Sequence, residues 1–202
     1  MMNIVNGPLT IGVLIITLFV ISCEPRDLNE LMVTLEESRR AAEFELINQA
    51  NSGFTNWKNA QLAEYYIFYD LEGKPSAFMY ICRIEDEIVG YITVSASKRF
   101  APIIESSTSN KPPMSKYEEN LAFGNNYENE ILDFEYIYLG GLTYFIKYSI
   151  NGMEPIYVNL STPIIVIEDE SFLEIKQKNY KKSEYRNAES SWNAILNSFI
   201  KE

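Results

Sequence analysis

Ser95-Ala96-Ser97-Lys98 is the arrangement in this chain that comes nearest to a catalytic motif. In S-x-x-K nucleophiles the serine opens a helix, and the lysine one turn later faces its hydroxyl. Here the motif follows an apolar run and precedes Arg99-Phe100-Ala101-Pro102, and no K-T-G element accompanies it. The helix that this chemistry requires is therefore not indicated. Histidine is absent, which excludes Ser-His-Asp and Cys-His catalysis and removes the commonest zinc ligand. The triplets Glu85-Asp86-Glu87 and Glu168-Asp169-Glu170 offer oxygen ligands of the kind calcium takes. Neither has the ligand and glycine spacing of an EF-hand, so both read as solvated turns. Gly140-Gly141 stands outside any phosphate-loop or dinucleotide pattern. No cofactor and no metal is expected.

The two cysteines have different prospects. Cys23 ends the run Val20-Ile21-Ser22-Cys23, which looks like a lipobox whose cysteine becomes lipid-modified, although Ile21 is larger than usual. Leu9 to Ile21 is almost wholly apolar, and no charged side chain occurs before Glu24. The leader lacks the Lys or Arg that a signal peptide normally carries. A retained anchor helix is the competing reading, since ~30 Å of hydrocarbon needs roughly 20 apolar residues; plain secretion is the third. All three place the rest of the chain on the extracytoplasmic side of the cell membrane. With Cys23 lipidated, Cys82 has no intrachain disulfide partner. It lies within Phe78-Met79-Tyr80-Ile81-Cys82 and is expected as a buried, inert thiol.

The formal charge is -11, and the first 23 residues contribute nothing to it. That balance argues against nucleic acid, which needs clustered Lys and Arg, and against a basic patch docked on an anionic membrane. Asn159-Leu160-Ser161 fits an N-glycosylation acceptor but falls in a predicted strand, so modification is not expected.

The elements that must position these residues read as follows. Asp27-Leu28-Asn29-Glu30 fits a capping box, and Leu28, Leu31, Met32, Leu35, Ala42, Leu46 and Ala50 recur at helical spacing. They predict a helix from about Leu28 to Ala50. Runs at 65–69, 77–84, 88–94 and 100–104 predict an antiparallel meander, with Pro102 favouring an edge. Ser115-Lys116-Tyr117-Glu118 is a second capping box, opening a short helix that ends near Gly124. Runs at 134–139, 142–150, 156–160 and 164–167 predict a second strand group. The segment 171–186 reads as a polar, Lys-rich linker. Trp192, Ile195, Leu196, Phe199 and Ile200 then give a terminal helix a clean apolar face, expected to dock on the chain's own core. Fourteen tyrosines and eleven phenylalanines suit half-buried sheet positions, as core first and as a binding face second.

Three stretches carry a family resemblance: Tyr69-Asp70-Leu71-Glu72-Gly73-Lys74-Pro75-Ser76-Ala77-Phe78, Val89-Gly90-Tyr91-Ile92-Thr93-Val94-Ser95-Ala96-Ser97, and Ala101-Pro102-Ile103-Ile104. With Asn56-Trp57-Lys58-Asn59-Ala60 before them and Tyr138-Leu139-Gly140-Gly141-Leu142-Thr143-Tyr144 after, the chain resembles a propeptide-like amino-terminal domain. Such domains precede secreted papain-like cysteine peptidases of the streptopain type. They also occur in archaeal surface proteins that carry a bacteriocin-processing-type peptidase module. The resemblance covers roughly Leu28 to Ile167 and implies an α+β fold, a twisted antiparallel sheet with helices on one side. It also implies a role in covering or folding a peptidase. No peptidase module is expected after Ile167, so no catalytic residue is expected to carry over.

The expected organisation is a signal peptide or anchor helix at 1–22, a propeptide-like domain at 23–170, and a linker with an amphipathic helix at 171–202. The expected function is a membrane-anchored, non-catalytic inhibitor or chaperone of a secreted cysteine peptidase. A structural or peptide- or glycan-binding surface lipoprotein is the alternative. Ser95, Lys98, Arg99, Ser107 and Lys111 are the candidate partner contacts, and Cys23 is the candidate lipidation site.

Overall fold

The computed structural model describes residues 31–53, 56–115, 131–160, 166–167, 170–182 and 186–199. The proposed leader, Cys23, the Asp27–Glu30 capping box and the predicted helix after Ser115 lie outside them. Eight strands form one sheet: β1 (Gln61–Tyr69), β2 (Pro75–Ile84), β3 (Glu87–Ser95), β4 (Ile103–Ser107), β5 (Ile131–Tyr138), β6 (Tyr144–Ile150), β7 (Ile156–Asn159) and β8 (Val166–Ile167). Their order is β4-β3-β2-β1-β5-β6-β7-β8. Three α-helices accompany them: α1 (Leu35–Ser52), α2 (Glu170–Lys182) and α3 (Ala188–Ser198). The α+β class stands. The sheet, however, is mixed rather than antiparallel, because β1 and β5 pair in parallel at Tyr69 and Ile137. Each four-strand group is an antiparallel meander, as its short turns require, and the parallel seam is where the two groups meet.

Period-two alternation sends the strand residues to two faces. Phe78, Tyr80, Cys82, Ile92 and Val94 pack against Ala41, Ala42 and Leu46 of α1 and Trp192 and Ile195 of α3. Farther along the same face, Ile137, Leu139, Phe145 and Tyr157 pack with Leu173 of α2. All three helices therefore cover one face. The other face is lined by Phe68, Ala77, Met79, Ile81, Tyr91, Tyr144, Ile146, Tyr148 and Val158. It curls so strongly that β6 meets β3 and β4: the Tyr144 hydroxyl donates to Glu105 at 2.8 Å and lies 3.3 Å from the Thr93 hydroxyl. Tyr91 donates to the other oxygen of the same carboxylate at 2.8 Å. Burial raises both tyrosine pKa values, that of Tyr91 to about 12. The described tyrosines are thus largely core, while Tyr66, Phe134 and Tyr136 form a partly exposed aromatic cluster on this face.

Three local expectations are corrected. The first helix starts at Leu35, not near Leu28, because Thr34 caps it: its hydroxyl accepts from the Glu37 N–H at 3.1 Å, and Glu37 accepts from the Thr34 N–H at 2.9 Å. Leu31 and Met32 are instead drawn into sheet-like pairing, with Met32 opposite Ser97 and the Val33 N–H donating to the Ala96 carbonyl. The strand expected at 100–104 begins at Ile103, since the Pro102 carbonyl accepts from Ser95 and Phe100 turns back on Ser97. The supposed linker at 171–186 is largely α2, whose buried Leu173 and Gln177 attach it to the sheet. By contrast, α3 docks on its own chain as expected, with Trp192 1 % exposed and its indole N–H donating to the Phe100 carbonyl.

Candidate functional site

The β1–β2 turn is organised by Asp70. One carboxylate oxygen accepts from the backbone N–H groups of Glu72 and Lys74 at 2.8 and 2.9 Å, an Asx-type turn completed by Gly73 at φ 74°. The other oxygen faces Lys181 of α2 at 3.1 Å. Glu72 receives Lys181 at 2.5 Å, Gln177 at 3.3 Å and Lys74 at 3.0 Å. Gln177 in turn accepts from the Leu71 N–H at 2.7 Å. These contacts hold α2 across the end of the sheet. Hydrogen bonds from Lys181 and then Lys74 lower the Glu72 pKa to about 2, so it is ionised at neutral pH and has no proton to give.

The opposite wall is the segment after β3. Ser95 is buried, donates to the Ser97 carbonyl at 2.9 Å and accepts from the Ser97 N–H at 3.1 Å. Lys98 reaches away to Glu37 on α1 at 2.6 Å, and its N–H donates to the Leu31 carbonyl at 2.7 Å. The S-x-x-K residues thus form a turn and an ion pair to another element, not a nucleophile beside its base. Phe100 stacks on Tyr180 of α2 with ring centres 4.4 Å apart, and Tyr180 meets the edge of Tyr138 at 5.5 Å. Burial pushes the Tyr180 hydroxyl up to about 12. Gly140 permits this contact: a Cβ there would lie 2.3 Å from the Tyr180 ring, at φ +87°.

Between the two walls lies a cleft of about 350 Å³. Its apolar surface comes from Leu31, Met32, Pro75, Phe100, Tyr138 and Tyr180; Asp70, Glu72, Lys74, Arg99 and Lys181 supply the charged lining. An apolar cavity with a few convergent polar groups is the usual form of a binding site. The charges are largely neutralised by one another, so the arrangement suits binding better than proton transfer.

Of the sequence-predicted contacts, Arg99 lines this cleft, while Ser95 and Lys98 support its wall from behind. Ser107 ends β4 opposite Tyr91, and Lys111 lies in the exposed loop beyond. Ser107 is thus separated from Ser95 by four residues of register, about 13 Å along the sheet, so the five do not converge on one spot. Asp70, Gln177, Tyr180 and Lys181 were not foreseen as site residues. The Asp70-to-Pro75 turn was visible as a turn; the α2 contributors lay in the stretch that reads as linker. Asn159 ends β7 and is half-buried. Among the described residues no cluster of three or more Cys, Asp or Glu is arranged to hold a metal, and no helix is long and apolar enough to cross a membrane.

No family model, curated protein or solved structure matches this chain.

Proposed function

We propose that this chain is a membrane-anchored, non-catalytic domain on the extracytoplasmic side that binds an extended polypeptide, acting as inhibitor or chaperone of a secreted cysteine peptidase. The observation that carries the reading is β4. It ends the strand order, so among the described strands only β3 pairs with it. Its five residues are all half-buried rather than covered. An edge strand of this kind accepts an added strand through main-chain hydrogen bonds, with side-chain pockets supplying selectivity. The chain leading into β4 carries Arg99 and Phe100, both at the cleft, which places a pocket close to one end of the edge. The propeptide-like resemblance names a cysteine peptidase as the partner class. Anchoring comes from the apolar leader, through Cys23 or a retained helix.

The test is inhibition. The purified chain, added to a secreted papain-like cysteine peptidase, is expected to lower its rate on a peptide substrate. Arg99→Glu combined with Lys111→Glu is expected to weaken that effect by about tenfold if charge steers the encounter. A rate unchanged at saturating protein overturns the reading. The aromatic cleft favours a second one, a surface lipoprotein that holds a peptide or glycan end between Phe100, Tyr138 and Tyr180. Binding to such ligands without any effect on the peptidase would select it.

A further inference from the structure

Helix α2 has an outer face that the cleft does not use. Phe172 and Ile175 are 48 % and 60 % exposed, although the helix buries Leu173 and Gln177 on its inner face. Lys176 lies over the Phe172 ring at 5.1 Å. The helix carries four lysines against two glutamates, in a chain whose formal charge is -11. Whole-chain composition argues against a basic membrane patch, but the Lys-rich segment is local and folds into this one helix. Lys181 is engaged by Asp70 and Glu72, which leaves Lys176, Lys178 and Lys182 as the remaining cations of the helix.

The route of the chain supplies the orientation. Leu31 and Met32 line the same cleft as Gln177, Tyr180 and Lys181, so the polypeptide arriving from Cys23 enters beside α2. Leu31 lies eight chain steps after Cys23, a reach of at most about 29 Å even fully extended. An anchor at Cys23 therefore holds the α2 end of the domain near the bilayer. Two exposed apolar side chains flanked by lysines are what an interfacial helix presents to headgroups, and anionic lipid attracts such lysines within about a Debye length.

We infer that the outer face of α2 is a second membrane contact, seating Phe172 and Ile175 in the interface of an anionic phospholipid bilayer. The inference rests on the anchor reading for its orientation and deepens it: the domain lies against the membrane by α2 rather than swinging on its tether. The cleft wall formed by Tyr180 and Lys181 then opens close to the membrane surface.

The experiment uses the full chain with Phe172→Trp, reconstituted into vesicles of phosphatidylcholine and phosphatidylglycerol in equal parts, with and without brominated acyl chains. Both native tryptophans are buried at 1 % exposure, so the introduced indole supplies the lipid-sensitive signal. Quenching of about twofold or more is expected for an indole at the interface. It should diminish with added salt, in phosphatidylcholine alone, and with Lys176, Lys178 and Lys182 changed to Glu. Leu132→Trp, on an exposed β5 position, should remain unquenched, and Ile175→Trp repeats the test if the first variant folds poorly. Flotation of the same samples reads the anchor separately. A chain that floats with an unquenched indole at 172 and 175, or with equal quenching at 132, overturns the membrane face and leaves the anchor standing. A chain that does not float overturns the anchor, and the face then stands or falls on quenching by vesicles added to it.

Discussion

Gly90→Ala should destabilise this fold through steric overlap alone. Gly90 lies in β3 opposite Cys82, and its backbone is not in the left-handed region, so alanine meets no conformational penalty there. The added methyl would sit 2.2 Å from the Ser107 carbonyl oxygen and 2.4 Å from the Trp57 ring. Neither neighbour yields easily. Ser107 belongs to β4, paired with Tyr91, and Trp57 is 1 % exposed with its indole N–H donating to the Val89 carbonyl at 3.0 Å. An overpacked methyl costs about 1–3 kcal/mol, and two rigid contacts place this one at the upper end, about 3 kcal/mol. For a domain of this size that corresponds to a fall in Tm of about 6–12 °C, read by circular dichroism. Gly152→Ala is the control, at φ +73° with nothing within 4 Å of the added Cβ; its cost is conformational, about 1 kcal/mol. A Gly90→Ala protein that unfolds within about 2 °C of the parent, or above the Gly152→Ala protein, would refute the argument. Because β4 is the strand displaced, Gly90→Ala should also weaken any peptidase inhibition.

Trp192→Ala should cost about 3–5 kcal/mol in urea unfolding; a loss under about 1 kcal/mol would mean that α3 is not part of this domain's core. Cys82 is wholly buried, and burial pushes its thiol up to about 12, so in a Cys23→Ala background it should react with a thiol reagent at pH 8 only as fast as the protein opens; labelling at the rate of a free thiol would refute its burial. Glu72 has a folded pKa depressed from 4.5 to about 2, so its contribution is present above pH 4.5 and is lost as pH falls towards 2. At 51 % side-chain exposure that contribution is below about 1 kcal/mol. Comparing Glu72→Gln with the parent, the Tm gap should be widest above pH 4.5 and close on acidification, and a gap constant with pH would refute the linkage.

The strands were readable because their physics is local. Continuous apolar runs such as Phe78 to Cys82 must be covered on both faces, and Asp70-Leu71-Glu72-Gly73 and Asn151-Gly152 admit little but turns. The terminal helix was readable for the same reason, its stripe from Trp192 to Ile195 having one face to bury. The misplaced start of the first helix came from competition between equivalent local signals. Asp27-to-Glu30 and Thr34-to-Glu37 both fit a capping box, and pairing of Met32 with Ser97 withdraws the first turn from the helix and selects the second. Helix α2 was missed because its inner face holds only Leu173, Gln177 and Tyr180, too sparse a stripe beside its many lysines.

The candidate site shows the same division. The sequence by itself determined the turn chemistry of Asp70 to Lys74, the strand carrying Ser95, the lack of any histidine in the 202 residues and the apolar run from Leu9 to Ile21, since each depends on residue type and near neighbours. Only the tertiary structure decided that Lys181 meets Asp70 across 111 positions of chain and that Phe100 stacks on Tyr180. It alone set the parallel seam between β1 and β5, and it brought Leu31 to the rim of a cleft walled by α2. Those contacts lie far apart along the chain, and their free energy exists only once the sheet has curled and α2 has crossed its end; no window of local sequence contains it.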